Sequence, residues 1–121
     1  MNGNNILLDT NTVLYALGGK LDIEKIFEGI FYVSFVTELE LLSYPNLTKA
    51  EEQLIQHFLT DIDIIDINSE IKQETIRLRK NHTLKLPDAL ICATALYKNA
   101  TLITFDKKLQ KVSEIKTLVL K

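Results

Sequence analysis

The feature that most constrains the fold is an apolar segment introduced by a proline, residues 84–96, with the sequence LKLPDALICATAL. Proline is favoured at the first position of a helix, because its missing N–H would have no intrahelical partner there. We therefore expect a helix that begins at Pro87 and carries Asp88 in its first turn. The residues that follow are small or apolar almost all round, which indicates a buried helix. Asp88 then either complements the positive end of the helix dipole or belongs to a functional site.

Short apolar runs elsewhere predict strands that alternate with helices. The expected strands are residues 6–8, 30–33, 61–67, 101–104 and 117–120. The expected helices are residues 13–17, 22–28, 34–44 and 48–59, a helix that begins after Asn68 or Ser69, and a short helical turn at 107–112. Thr10 or Asn11 is expected to cap the first helix, and Asn99 to end the buried one. Strands that alternate with helices predict an α/β domain with a mostly parallel sheet.

The helix predicted at residues 34–44 carries two glutamates. Its expected apolar stripe consists of Phe35, Val36, Leu39 and Leu42. Glu38 and Glu40 fall on opposite edges of that stripe. Helical periodicity alone therefore leaves open which of the two belongs to a functional site.

Size and charge exclude several classes of protein. The 121 residues are expected to form one domain, residues 1–121, and the net charge of −2 gives no overall basic signal for nucleic acid. The single cysteine, Cys92, cannot form an internal disulfide, so a reducing cytoplasm is the expected setting. The polar start, Met1 to Asn5, and the short apolar run after it do not resemble a signal peptide, and no membrane span is expected.

Acidic residues stand where the predicted strands and helices meet. Asp9 and Asp106 follow strands, Asp88 opens the buried helix, and Glu38 or Glu40 lies in the first turns after a strand. In a parallel sheet with right-handed crossovers, these positions share the edge formed by the carboxyl ends of the strands. Four carboxylates that close together would repel one another unless they bind protons or a cation. An all-oxygen acidic site suits Mg²⁺ or Mn²⁺, and such sites catalyse phosphoryl transfer.

Four sequence blocks resemble the signature motifs of PIN domains, and in particular of the small VapC-type toxins of type II toxin–antitoxin systems. The blocks are residues 7–11 (LLDTN), 34–41 (SFVTELEL), 85–95 (KLPDALICATA) and 102–106 (LITFD). The third block is the most specific of them. All four occur in the right order, and the resemblance covers residues 6–109.

This resemblance implies an α/β/α sandwich around a parallel sheet and a metal-dependent endoribonuclease that uses Mg²⁺ or Mn²⁺. It assigns catalysis and metal binding to four acids: Asp9, Glu40, Asp88 and Asp106. Glu40 is chosen over Glu38 because the second acid of the family follows a threonine by three residues and precedes a leucine. Supporting polar positions are implied at Thr10, Asn11 and Thr104. The resemblance further implies an RNA substrate, a cognate antitoxin protein and a homodimer.

Basic residues flank two of these acids. Arg77, Arg79, Lys80 and Lys85 lead into Asp88, and Lys107 follows Asp106, with Lys108 and Lys111 close behind. They either form a solvated face or bind the phosphate backbone of RNA. A further expectation concerns four bulky side chains near the motif blocks, which either belong to the core or contribute to a dimer or antitoxin surface: Leu14, Tyr15, Leu41 and Tyr44.

Other functions are possible on the sequence alone. A haloacid-dehalogenase-type phosphatase also begins with a strand that ends in aspartate, but Asn11 stands where its general acid belongs. A receiver domain would need a second acid beside Asp9. A PIN-like scaffold that binds RNA or protein without cleavage is the remaining alternative, although it gives no reason for four mutually repelling carboxylates.

Overall fold

A computed structural model describes residues 4–121 as five strands and six α-helices with one 3₁₀ helix. The strands are β1 (Asn5–Leu8), β2 (Ile30–Ser34), β3 (Asp63–Ile65), β4 (Thr101–Thr104) and β5 (Lys116–Val119). The α-helices are α1 (Thr10–Leu17), α2 (Ile23–Ile26), α3 (Phe35–Leu42), α4 (Lys49–Asp61), α5 (Ser69–Asn81) and α6 (Leu86–Lys98). The 3₁₀ helix spans Lys107–Lys111. The predicted start at Met1 to Asn5 lies mostly outside the described residues.

All five strands are parallel and form one sheet in the order β3-β2-β1-β4-β5. β1 is central, and its Leu8 pairs with Ile103 of β4. The predicted α/β class with a parallel sheet is therefore confirmed. The strand expected at residues 61–67 lies at the sheet edge, as predicted, but is shorter.

Helices cover both faces of the sheet. Leu7 of β1 packs in one apolar cluster with Ile71 of α5 and Ile91 of α6. Its neighbours Ile6 and Leu8 point to the opposite face, into a second cluster with Val13 of α1 and Ile55 of α4. Because alternate residues of a strand face opposite sides, a continuous apolar run is buried on both. The three-layer α/β/α arrangement follows.

Helix α6 has the predicted environment, and its start differs by one residue. Leu86 is its first residue and Pro87 lies in its first turn, so the helix begins before the proline rather than at it. Asn99 ends the helix in the left-handed conformation, with φ 54°. The small residues Ala89, Cys92 and Ala93 are fully buried. Small side chains allow α6 to pack closely against the sheet and against α5.

The capping residue of α1 and the length of α2 differ from the expectations. Asp9 caps α1 in place of Thr10 or Asn11, because its carboxylate accepts a hydrogen bond from the backbone N–H of Thr12. Helix α2 is shorter than the expected 22–28. The caps expected elsewhere are present, including the capping box of Thr48 with Glu51 and the Asn68 cap.

The apolar stripe expected on α3 is confirmed at Val36, which is buried, and at Phe35, which packs against the core, and it is wrong at Leu39 and Leu42. Leu39 and Leu42 are 57% and 50% exposed, whereas Leu41 is fully buried. Thr37 is also buried and is hydrogen-bonded to Thr10. A satisfied threonine hydroxyl has little cost in a core, so a polar residue can occupy the inner face. The rotation of α3 turns Thr37, Glu40 and Leu41 inward, since residues three and four apart share one face of a helix.

The surface expected to contact partners is partly wrong for the same reason. Leu41 lies in the core and Leu14 packs against it, whereas Tyr15 and Tyr44 are exposed. The apolar side chains that α3 presents to solvent are Leu39 and Leu42. None of the helices within residues 4–121 is long and apolar enough to span a bilayer.

Candidate active site

Asp9 is the most firmly held acid at the carboxyl edge of the sheet. It follows β1 directly and is only 8% exposed. Its Oδ1 accepts hydrogen bonds from the backbone N–H of Thr12 at 2.9 Å and from the Thr12 hydroxyl at 2.7 Å. Its Oδ2 accepts one from the Thr104 hydroxyl at 2.5 Å. Both carboxylate oxygens are thus fixed before any ligand binds.

Thr104 connects Asp9 to Asp106. Its hydroxyl oxygen accepts a hydrogen bond from the backbone N–H of Asp106 at 3.0 Å while the hydroxyl proton is donated to Asp9. Asp106 in turn caps the 3₁₀ helix, where its Oδ1 accepts from the backbone N–H of Lys108 at 2.9 Å. The pairing of β1 with β4 brings these groups together.

Glu40 joins the same edge through a pair of threonine hydroxyls. Thr10 donates to Glu40 Oε1 at 2.5 Å, and its oxygen lies 3.0 Å from the hydroxyl of Thr37. Since the Thr10 hydroxyl has one proton, Thr37 must donate to Thr10. Thr10 is adjacent to Asp9 in the chain, so this contact places Glu40 near Asp9. The geometry therefore favours Glu40 over Glu38, the choice that periodicity left open.

Asp88 lies half-buried in the first turn of α6. Burial raises its pKa above the ordinary value, and the carboxylates of Asp106, Asp9 and Glu40 raise it further, whereas Lys85 opposes the shift. Three other acids therefore act on Asp88 electrostatically. One turn further along α6, burial together with Asp88, Asp106 and Asp9 raises the pKa of the Cys92 thiol to about 12. Cys92 stays protonated and contributes packing.

The donors at this edge are chemically suited to a hard divalent cation. Within residues 4–121, no three acidic, histidine or cysteine side chains converge closely enough to hold a metal ion by themselves. Mg²⁺ does not need such a cage, because it retains several waters and binds through one or two carboxylates and substrate phosphates. Oxygen donors and mutually repelling carboxylates fit Mg²⁺ or Mn²⁺ better than zinc.

The remaining predicted residues are distributed around this edge. Asn11 is exposed, on the first turn of α1. Arg79 and Lys85 line a cleft that also contains Asp88 and Asp106. Arg77 pairs with Glu74 on its own helix, and Lys80 and Lys107 are exposed away from the cleft lining. The geometry thus separates the predicted basic residues into two groups.

Two buried hydroxyls, those of Thr12 and Thr37, were not predicted as site residues. Thr12 stands three residues after Asp9, which is the usual spacing between a capping residue and the group it binds. Thr37 stands one helical turn before Glu40. Both spacings are visible in the sequence, but neither indicates a site until Asp9 and Glu40 are identified.

Fold and site together define a parallel α/β domain with an acidic site at the carboxyl edge of its sheet. The family model described as "PIN domain" matches residues 6–115, and the chain belongs to the PIN domain family. Among curated proteins, Ribonuclease VapC2 of Methanocaldococcus jannaschii is 26% identical over 136 aligned positions, which cover 93% of this chain and 91% of the relative.

Solved structures share the fold over nearly the whole chain. A toxin–antitoxin complex from Klebsiella pneumoniae contains a chain with 25% identity and a TM-score of 0.76, covering 95% of this chain and 99% of that one. VapBC2 from Rickettsia felis, bound to a DNA fragment from its promoter, has 22% identity and a TM-score of 0.81, with coverage of 97% and 99%. The family predicted from the four sequence blocks is confirmed.

Proposed function

We propose that the chain is a metal-dependent endoribonuclease and the toxin of a toxin–antitoxin pair. The observation that carries the proposal is the convergence of Asp9, Glu40 and Asp106 at the carboxyl edge of the sheet, through hydrogen bonds to Thr10 and Thr104. Burial raises the pKa of Asp88, and the carboxylates of these three residues raise it further. Membership of the PIN domain family and the similarity to a protein named as a ribonuclease support the same activity. Membership of the PIN domain family also argues against the alternative of a haloacid-dehalogenase-type phosphatase.

In this proposal, Asp9, Glu40, Asp88 and Asp106 hold Mg²⁺ or Mn²⁺, directly or through water. A bound divalent cation supplies an activated water and neutralises charge on the scissile phosphate. The acids need such a partner, because four carboxylates would otherwise repel the phosphodiester. Thr12 and Thr104 fix the orientation of Asp9, and Thr10 fixes that of Glu40. Oriented donors of this kind reduce the reorganisation required during the reaction.

Metal dependence is tested with purified protein and a single-stranded RNA. We expect cleavage with Mg²⁺ or Mn²⁺, loss of cleavage with excess EDTA, and recovery when the metal is restored. Asp9→Asn protein, purified in parallel, controls for contaminating nuclease and should be inactive. Undiminished cleavage by the wild type in EDTA, with the Asp9→Asn sample inactive, would contradict the metal mechanism. RNA binding without cleavage under every metal condition would favour the non-catalytic scaffold.

The proposed partners are an antitoxin and a second copy of the chain, acting in the cytoplasm. The similar chains from Klebsiella pneumoniae and Rickettsia felis come from a toxin–antitoxin complex and a VapBC complex. On this chain, Leu39 and Leu42 lie one turn apart on α3 and are both at least half exposed. Adjacent exposed leucines favour burial in an interface.

For the homodimer, we expect the protein to sediment as a dimer at micromolar concentration and Leu42→Lys to shift it toward monomer. A buried charge without a partner strongly disfavours association. Ile76→Lys is the matched control, because Ile76 is similarly exposed, at 57% against 50% for Leu42, on the separate helix α5. A wild-type monomer at these concentrations, or equal effects of the two substitutions, would contradict the assignment of α3 to the interface.

A further inference from the structure

A cleft of about 770 Å³ leads away from two of the four acids. Asp88 and Asp106 lie in its lining. One wall is the end of α5 and the connection to α6, which contribute Arg79 and Lys85. The other wall is the 3₁₀ helix, which contributes Lys108 and Lys111. The cleft is therefore acidic where it meets the site and basic on both walls.

Hydrogen bonds hold the two walls in place. His82, which ends α5, is joined to Glu114, beyond the 3₁₀ helix, with 2.9 Å between Nε2 and Oε1. Both side chains are less than a quarter exposed. Arg79 Nε donates to the carbonyl of Leu84 at 3.2 Å, and the backbone N–H of Lys108 is bound to Asp106. The cations thus project from a fixed framework.

The lysines in this cleft have no anionic partner of their own. Among the residues that the structure describes, no carboxylate lies within 4.0 Å of the ammonium groups of Lys85, Lys108 or Lys111. Arg77, outside the cleft, is by contrast paired with Glu74. Unpaired cations on facing walls produce a positive potential that a polyanion can neutralise.

We propose that this cleft binds the backbone phosphates of a single RNA strand next to the scissile bond, an inference that rests on the proposed nuclease function. Its volume lies in the range of pockets for small molecules, which is enough for a few nucleotides of one strand. Within the described part of the chain, its apolar lining is aliphatic, from Leu84, Leu109 and Val112, and includes no Phe, Tyr or Trp on which bases could stack. Contacts to phosphates position a strand without reading its sequence. The cleft accordingly contributes affinity and register, and sequence preference arises elsewhere.

The experiment measures binding of a labelled single-stranded oligoribonucleotide by fluorescence anisotropy in EDTA, with its integrity checked on a gel. We expect Lys108→Ala/Lys111→Ala to weaken binding at least tenfold at low salt. The slope of log Kd against log salt should fall by about 0.7 for each phosphate contact removed. Lys80→Ala/Lys107→Ala is the charge-matched control and should change both quantities little. Thermal melts establish that each variant is folded.

Three outcomes would overturn the proposal. One is unchanged binding by the Lys108/Lys111 variant, and another is an equal loss in both double variants, which would indicate diffuse attraction. The third is duplex RNA that binds as tightly as the single strand. The nuclease function is judged separately. If the wild type cleaves RNA and the Lys108/Lys111 variant binds RNA normally, only the proposal for the cleft is refuted. If the Lys108/Lys111 variant alone loses binding but the wild type does not cleave RNA, only the nuclease function is refuted.

Discussion

Asp88→Asn is expected to leave the metal-free protein at least as stable as the wild type while reducing RNA cleavage by orders of magnitude. The helix dipole alone would favour the charge on Asp88 by about 0.3–1 kcal/mol. Burial and the carboxylates of Asp106, Asp9 and Glu40 oppose that charge and raise the pKa of Asp88. Removing the charge therefore relieves repulsion in the folded state.

The pH dependence of stability also predicts that the charged form of Asp88 destabilises the folded chain. The pKa of Asp88 is higher in the folded chain than its ordinary value of 3.8. The folded state therefore binds more protons than the unfolded state between those two values, and the free energy of unfolding falls as pH rises through that window. Asp88→Asn should remove this contribution, so its advantage over the wild type appears above the raised pKa and vanishes below 3.8.

Thermal melts with and without Mn²⁺, beside a cleavage assay, check the Asp88 prediction. The variant should melt at or above the wild-type temperature without metal and gain less from added Mn²⁺, because a ligand stabilises the folded state according to its affinity. A variant that melts lower without metal, responds normally to Mn²⁺ and still cuts RNA would assign Asp88 to the helix dipole alone.

Glu40→Gln is expected to abolish cleavage, whereas Glu38→Gln should retain most of it. Glu40, on the inner face of α3, accepts a hydrogen bond from the hydroxyl of Thr10, which is next to Asp9 in the chain. The amide of glutamine keeps an oxygen for Thr10 but removes the charge that would hold a cation. Glu38 is the matched control, since it lies on the same helix and undergoes the same change.

The measurement for the glutamates is the cleavage rate of both variants at saturating Mn²⁺, with folding verified by thermal melts. Loss of activity in Glu38→Gln with normal activity in Glu40→Gln would transfer the second acid to Glu38. Equal, small decreases of the cleavage rate in both variants would show that neither glutamate of α3 belongs to the site.

Elements with strong local signals were predictable. Strand β4 has the bounds expected from its apolar run, and the capping box of Thr48 with Glu51 marks the start of α4. The position of Asp9 also follows from local sequence, because a polar residue that ends a buried strand must lie where the carboxyl ends of the strands meet. Such signals involve neighbours in sequence and need no knowledge of tertiary packing.

The inner face of α3 could not be predicted from hydrophobicity. Thr37 is buried there because Thr10, which is 27 residues earlier, provides a hydrogen-bond partner. That pairing exists only once α1 and α3 are brought together by the sheet. Leu39 is expected on the core face from the pattern, but five of the eight residues of this two-turn helix are apolar, so hydrophobicity alone does not define a single face.

The basic cleft shows the same limitation. Lys107, Lys108 and Lys111 are equivalent in the sequence, as cations shortly after Asp106. Their separation depends on the tight turn that follows the Asp106 cap, which directs Lys108 and Lys111 toward the α5–α6 connection. The four blocks of the family predict which acids form the site, but the contacts among Thr10, Thr37 and Glu40 emerge only from the assembled fold.

The central claim, that the acids at this edge form one metal site that cuts RNA, is tested most directly by following Mn²⁺ binding and RNA cleavage on the same protein. Electron paramagnetic resonance gives the bound fraction of Mn²⁺, and a parallel assay gives the cleavage rate at each concentration. We predict that the rate rises in step with the bound fraction and that Asp9→Asn loses both together. Cleavage at full rate without bound Mn²⁺, or Mn²⁺ binding unchanged in Asp9→Asn, would contradict the claim.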